Sequence, residues 1–274
     1  MADIRDRLRV EGPVSLAQID TERTPGDPGE EAAKAARPTI ADEIDELQKK
    51  MWAQKVVNGS RKRILIVLQG MDCSGKGGVV NNVFSGSNPR WLNIKGFAAP
   101  TEEELQHHFL WRIKRALPQP GEIGIFDRSH YEDVVAVRAR NILPEEVWRP
   151  RYEEINAFEK SLEEDDCKII KIFLHISRDY QLERQYRRLD NPDKHWKFDA
   201  GDIEDRKVWS AFHAAYEEAF ERCPTWYVVP SDHKWYRIWA VSQILLETWR
   251  EMDLHYPARP DLDVPKLKRE LREA

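Results

Sequence analysis

Apolar positions along the chain follow two alternating periods. Ile40, Ile44, Leu47, Met51 and Trp52 recur at the spacing of one helix face, and Thr39 with Asp42 forms a capping pair that predicts where this helix starts. The next apolar stretch, Ile64 to Leu68, is unbroken, as in a strand covered on both faces. From there strands and helices take turns: a helix from Lys76, a strand over Leu92 to Phe97 and a helix from Thr101 capped by Glu104. A strand over Ile123 to Phe126, a helix over Pro144 to Glu164 and a strand over Ile169 to Ile176 follow. A last strand, Trp226 to Val229, precedes a helix in which Trp235, Ile238, Trp239, Leu245 and Trp249 read as a face packed on a sheet, a stacking platform for bases being the other reading. The succession predicts an α/β fold, a three-layer sandwich whose parallel central sheet binds ligands at the carboxyl ends of its strands. Residues 1–38 mix Pro, Gly and charge without a period and read as an N-terminal tail or arm, and residues 39–274 as one domain.

Candidate chemistry begins where the first strand ends. In LQGMDCSGKGG, Gly70, four residues, Gly75 and Lys76 have the spacing of a phosphate-binding loop. The backbone N–H groups of such a loop, here with Gly77 and Gly78 continuing it, wrap phosphate oxygens while the lysine reaches the outer ones. Gly77 stands where the pattern has a Ser or Thr hydroxyl for magnesium, so a metal must find ligands elsewhere. Asp72 is the candidate, because an aspartate beside a phosphate is unfavourable unless a cation lies between them. The third strand delivers Asp127 and Arg128, a carboxylate that can hold Mg²⁺ or orient an attacking oxygen and an arginine that can grip phosphate.

A basic run follows the fourth strand. Arg178, Gln181, Arg184 and Arg188 share one helix face, Asn191-Pro192 stops that helix, and Lys194 and Lys197 flank Trp196. A solvated charged face is one reading; a lid over a transferring phosphoryl group, about residues 178–207, is the other. Arg61, Lys62 and Arg63 would extend a basic channel away from the loop.

Composition narrows the partners. The net charge of −5 speaks against general nucleic-acid binding, and no apolar stretch approaches the roughly 20 residues of a membrane span. Cys73, Cys167 and Cys223 form no paired motif, so a reduced cytoplasmic setting is expected; Cys73 reads as a small filler in a tight turn or as a reactive thiol. His107 and His108 are adjacent and diverge, His130 is a ligand contact only by its place beside Asp127-Arg128, and His175 reads as a core residue.

Taken in order, LQGMDCSGKGG, SNPR with PTEEEL, FDRSHYEDV and the basic run resemble the polyphosphate kinase 2 family from about residue 40 to 255. The resemblance implies a P-loop kinase fold with a helical lid, and reversible transfer of a phosphoryl group between inorganic polyphosphate and a nucleotide (AMP, ADP or ATP) with Mg²⁺, or Mn²⁺ in its place. It implies Asp72 and Asp127 as metal-binding and catalytic carboxylates, Lys76 and Arg128 on the transferring phosphate, and Arg184, Arg188, Lys194 and Lys197 as lid cations. RSHYEDV resembles the subgroup that phosphorylates both AMP and ADP, and the family's dimers or tetramers imply a homo-oligomer. Asn88, Arg90, Thr101 and Glu104 are nucleotide-binding candidates by position after the second strand, a plain turn and helix cap being the alternative. The competing activity is an ATP-dependent nucleoside monophosphate kinase. Gly77 and the long run of lid cations favour the polymeric anion over one triphosphate.

Overall fold

A computed structural model describes residues 3–10 and 12–274. Six strands form the sheet: β1 (Arg9–Val10), β2 (Arg63–Gln69), β3 (Leu92–Gly96), β4 (Ile123–Asp127), β5 (Cys167–His175) and β6 (Trp226–Pro230), in the order β1-β6-β5-β2-β4-β3. All neighbours run parallel except β1, which pairs antiparallel with β6. Every residue of β2 is buried, which explains its unbroken apolar run. Side chains alternate across the pleat, so Leu65 and Val67 enter one core while Ile64, Ile66 and Leu68 enter the other. The first core packs against helices Glu132–Ala139, Arg151–Glu163 and Trp209–Arg222; the second packs against Glu30–Asn58, Lys76–Val83 and Lys234–Arg250. The expected three-layer α/β sandwich is what forms. Trp249 is fully buried in the second core with Trp235 and Trp239 packed on it, so the tryptophan face is core.

Several boundaries differ from expectation. The first long helix begins at Glu30, not Thr39, and runs through Pro38. Around Pro38 the helix is largely exposed, so the carbonyl that loses its partner can bond to water. Of the N-terminal residues, expected as a tail or an arm laid over the body, Ile4, Leu8 and Leu16 are buried in the two cores. The expected helix Pro144–Glu164 is two, Glu145–Trp148 and Arg151–Glu163, with Pro150 at the break, where no N–H is available to continue the ladder.

The topology fixes where ligands go. β2 lies between β4 and β5, so the loop after Gln69, the end of β4 at Asp127 and the segment after His175 converge at one end of the sheet.

Candidate active site

The loop after β2 is held by glycines at positions only glycine fits. Gly70 has φ +147° and a Cβ there would come within 2.7 Å of the Leu174 carbonyl; Gly75, φ +99°, caps the N-terminus of helix Lys76–Val83. The helix's first N–H groups are thereby left for an anion. Lys76, almost fully buried, donates to the carbonyl of Gly70 at 2.9 Å, folded over the loop. At the end of β4, Arg128 has a left-handed φ of 64°, which turns its side chain back onto the loop, where it pairs with Asp72 at 2.5 Å. The arginine expected to grip phosphate is therefore in an ion pair with the loop's carboxylate.

One cavity of about 760 Å³ gathers Asp72, Lys76, Asp127 and Arg128 with the backbone of Gly75, Gly77 and Gly78 and with the lid residues Arg184, Arg188, Lys194 and Lys197. Gly70 lies just behind it, shaping the turn. The lid is helix Arg178–Leu189, capped by Ser177, followed by a 3₁₀ turn Pro192–Lys197 started by Asn191 and by helix Gly201–Lys207. Among the described residues Arg184 and Lys194 have no acidic partner, and the half-buried carboxylate of Asp127 has no basic one. Gln181, on the same face, is fully buried and donates to the Asp72 carbonyl at 3.1 Å, tying lid to loop.

Electrostatics sharpen the picture. Burial pushes the Asp72 carboxyl up, but Lys76 and Arg128 more than reverse this and hold it below its ordinary value. Facing it from the lid is Asp202, raised to about 7 by burial and then by the charge of Asp72, and held by Arg188 at 3.1 Å. Glu132 is raised as well, first by burial and also by Asp72, with Arg128 and Lys76 opposing. Its carboxylate lies 2.9 Å from the Gln69 carboxamide, which also meets Ser129 and Tyr216. Burial pushes the Cys73 thiol up too, which favours the filler reading over the reactive one.

Sequence reasoning missed Asp202, Glu132, Arg187 and Asn81; the last two line the cavity. Asp202 lies within the lid stretch of residues 178–207, but nothing in the sequence showed that the lid folds back on Asp72. The nucleotide candidates lie outside the cavity lining. Asn88 caps a 3₁₀ turn and its N–H donates to Gln48; Arg90 is exposed. Thr101 and Glu104 form a reciprocal capping box, and Glu104 pairs with Arg112. His130 is no ligand contact: it is wholly buried, 3.2 Å from Glu159. His107 stacks on Trp111 while His108 pairs with Glu154, and His175 is buried against the carbonyls of Leu16 and Ile19, a core histidine as expected. The proposed channel entrance at Arg61, Lys62 and Arg63 is also overturned. β2 starts at Arg63, so these cations sit at the opposite end of the strand from the loop, some 20 Å away. Arg61 and Arg63 share Asp165, and Lys62 donates to the Met252 carbonyl at 2.6 Å.

Carboxylates and free cations around a helix N-terminus can hold two repelling anions together, which is the requirement of phosphoryl transfer, and the fold is that of the P-loop kinases. Residues 32–257 match the sequence profile of polyphosphate kinase 2. Among curated relatives, the AMP/ADP-polyphosphate phosphotransferase of Meiothermus ruber is 41% identical over 256 residues, 92% of this chain and 94% of the relative. The ADP-polyphosphate phosphotransferase of Rhodopseudomonas palustris is 37% identical over 80% of each chain. The crystal structure of polyphosphate kinase 2 from Arthrobacter aurescens TC1 superposes with a TM-score of 0.95 at 39% identity, covering 100% of this chain and 98% of that one. The chain belongs to the polyphosphate kinase 2 family.

Proposed function

We propose that this protein transfers a phosphoryl group reversibly between inorganic polyphosphate and an adenine nucleotide, AMP or ADP, in a Mg²⁺-dependent reaction. The observation that carries the reading is the cavity in which Asp72, Asp127 and Lys76 face the lid cations Arg184, Lys194 and Lys197, which lack acidic partners among the described residues, while Arg188 is held by Asp202. Cations held without counterions are suited to a ligand that brings its own negative charge, and several in a row suit a polymer.

The donor set fits a hard divalent ion: Asp127 offers unpaired carboxylate oxygens beside Asp72, and oxygen donors are what Mg²⁺ takes. Among the described residues there is no cluster of three or more metal-binding side chains, so these two carboxylates would hold the ion, with substrate phosphates completing its shell. Bound there, Mg²⁺ would offset phosphate charge and align donor with acceptor. The chain's own part is positional. Lys76 and the loop N–H groups hold the phosphate that moves, and Asp127 orients the attacking oxygen. Arg184, Arg188, Lys194 and Lys197 neutralise the donor chain and exclude water, while Arg128 shifts between Asp72 and phosphate.

Asn88, Arg90, Thr101 and Glu104 remain in this reading as nucleoside contacts at the rim, alongside their local capping roles. Their exposed or half-buried positions leave room for both. No helix among the described residues is long and apolar enough to cross a membrane, and the cytoplasm, as a homo-oligomer, is the proposed setting. The test incubates the protein with AMP or ADP, polyphosphate and Mg²⁺ without ATP. New ADP or ATP is the expected result; transfer only when ATP is the donor would overturn the reading in favour of a nucleoside monophosphate kinase.

A further inference from the structure

Behind the phosphate loop lies a charge that the site described above does not use. Arg237, on helix Lys234–Arg250, is 2% exposed, and its guanidinium lies flat against Gly75: a Cβ on that glycine would come within 2.6 Å of Cζ and 2.7 Å of Nε and Nη2. Its Nη1 donates to the Ser231 carbonyl at 2.7 Å and to the Tyr180 hydroxyl at 3.1 Å, while its Nε is buried with no hydrogen-bond partner. Among the described residues no carboxylate lies within ion-pair distance of it. A guanidinium withdrawn from water without a counterion is costly, and removing the cost takes an anion. Gly75 is the N-cap of the phosphate-loop helix and lines the cavity, whereas Arg237 does not. Tyr180 is the third residue of the lid helix that carries Arg184 and Arg188. One side chain thus touches the end of β6, the loop's capping glycine and the root of the lid.

We propose that Arg237 is a positioning residue for phosphoryl transfer, which sets the lid helix against the phosphate loop through Tyr180 and Gly75 and backs the loop-bound phosphate with a buried positive charge. The proposal rests on the transfer reading given above. Its mechanical half follows from the contacts: if Gly75 and Tyr180 share one rigid neighbour, the lid cations and the loop N–H groups keep a fixed spacing across the phosphate. Its electrostatic half follows from burial, since a charge in a low-dielectric interior acts over a longer distance than one in water. It also explains why position 75 has no side chain, beyond the need for positive φ.

The experiment compares Arg237→Lys, Arg237→Met and Tyr180→Phe with the unaltered protein. Three quantities are read: melting temperature, kcat and KM for polyphosphate-to-ADP transfer, and Kd for inorganic tripolyphosphate by calorimetry. Arg237→Met is expected to lose about a hundredfold in kcat and to weaken tripolyphosphate about tenfold, because it removes both the charge and the link. Arg237→Lys should restore tripolyphosphate binding while leaving kcat about tenfold low, because the charge returns without the fork that reaches Tyr180. Tyr180→Phe should lower kcat severalfold with Kd and melting unchanged. An Arg237→Met protein that is folded at the assay temperature and matches the unaltered kcat and Kd would overturn the proposal. Should Arg237→Met fail to fold, Tyr180→Phe decides, and an unchanged kcat there overturns the coupling of loop to lid. Tripolyphosphate binding is measured without turnover. Absence of transfer in the unaltered protein would therefore sink the functional reading alone, leaving the charge effect of Arg237 measurable.

Discussion

The two ends of the central sheet hold the same kinds of residue and treat them in opposite ways. Around the amino ends of the strands, Arg63 is matched by Asp165 and Arg5 by Asp3 and Glu251, and the buried Lys171, midway along β5, is matched by Glu159 at 2.7 Å, with the Tyr131 hydroxyl and the Cys223 carbonyl accepting its other hydrogen bonds. A cavity of about 510 Å³ there is lined by both signs of charge. At the carboxyl ends Arg184, Lys194 and Asp127 face a larger cavity and form no ion pair among the described residues. A charge satisfied within the chain contributes to holding the chain together, whereas one left open is available to a ligand. Between Arg184, Lys194 and Asp127 on one side and Arg63, Arg5 and Lys171 on the other, the difference is the partner, not the residue type; Arg128 and Arg188, paired with Asp72 and Asp202, stand between the two groups.

Substitutions can break that contrast, and the largest effect is expected at the open end. Asp127→Asn should lower kcat/KM for transfer by about a thousandfold with the melting temperature unchanged, because its carboxylate holds no internal contact. Steady-state assays with polyphosphate and ADP, beside a melting curve, check it. At the closed end Lys171→Met should do the reverse. Glu159, which His130 and Lys171 hold below its ordinary value against the upward push of burial, would be left as a buried charge short of its lysine. The expected loss is about 3–5 kcal/mol in urea unfolding, with kcat kept in the folded fraction.

A smaller effect separates the open cations from the paired ones. Removing Arg184 and Lys194 together should flatten the salt dependence of polyphosphate binding by about one unit of slope per cation, by analogy with other polyanions. Arg63→Ala should leave that slope untouched while lowering the melting temperature. Equal slopes for the two variants would erase the distinction between the ends.

The smallest effect involves a histidine outside both sets of charges, packed against His175 at the end of β5. His213 is lowered from 6.5 to about 4, first by burial and then by His175. Between these values the unfolded chain binds the proton and the folded one does not, so stability rises with pH through the window and is lost as pH falls toward 4. Replacing His213 with Leu should flatten the stability profile between pH 4 and 6.5, as followed by chemical denaturation.

How much of this was legible in the sequence depends on how local each signal is. The loop from Gly70 to Lys76, the Asp127-Arg128 pair and the lid face of Gln181, Arg184 and Arg188 are each written in a few adjacent residues, and the structure brings Asp72, Gly75, Lys76, Asp127, Arg128, Arg184 and Arg188 to one cavity. Arg61 to Arg63 were misread because a run of cations does not say which end of a strand it occupies or whether Asp165, more than a hundred residues away, will meet it. Arg237 was hidden among tryptophans that read correctly as core, and its contact with Gly75 exists only after folding. The first long helix was expected to start at Thr39 because the stretch before it has no period, yet it runs from Glu30 through Pro38, where an exposed stretch tolerates one missing hydrogen bond.

The two residues of β1 have a practical bearing on handling the protein. Arg9 and Val10 cover part of the flank of β6, whose sequence WYVVP has the aromatic and branched composition of a self-associating segment. Trimming the first ten residues would uncover that flank and invite precipitation during expression. A purification tag is better tolerated after helix Val264–Glu273, which is exposed along its whole length.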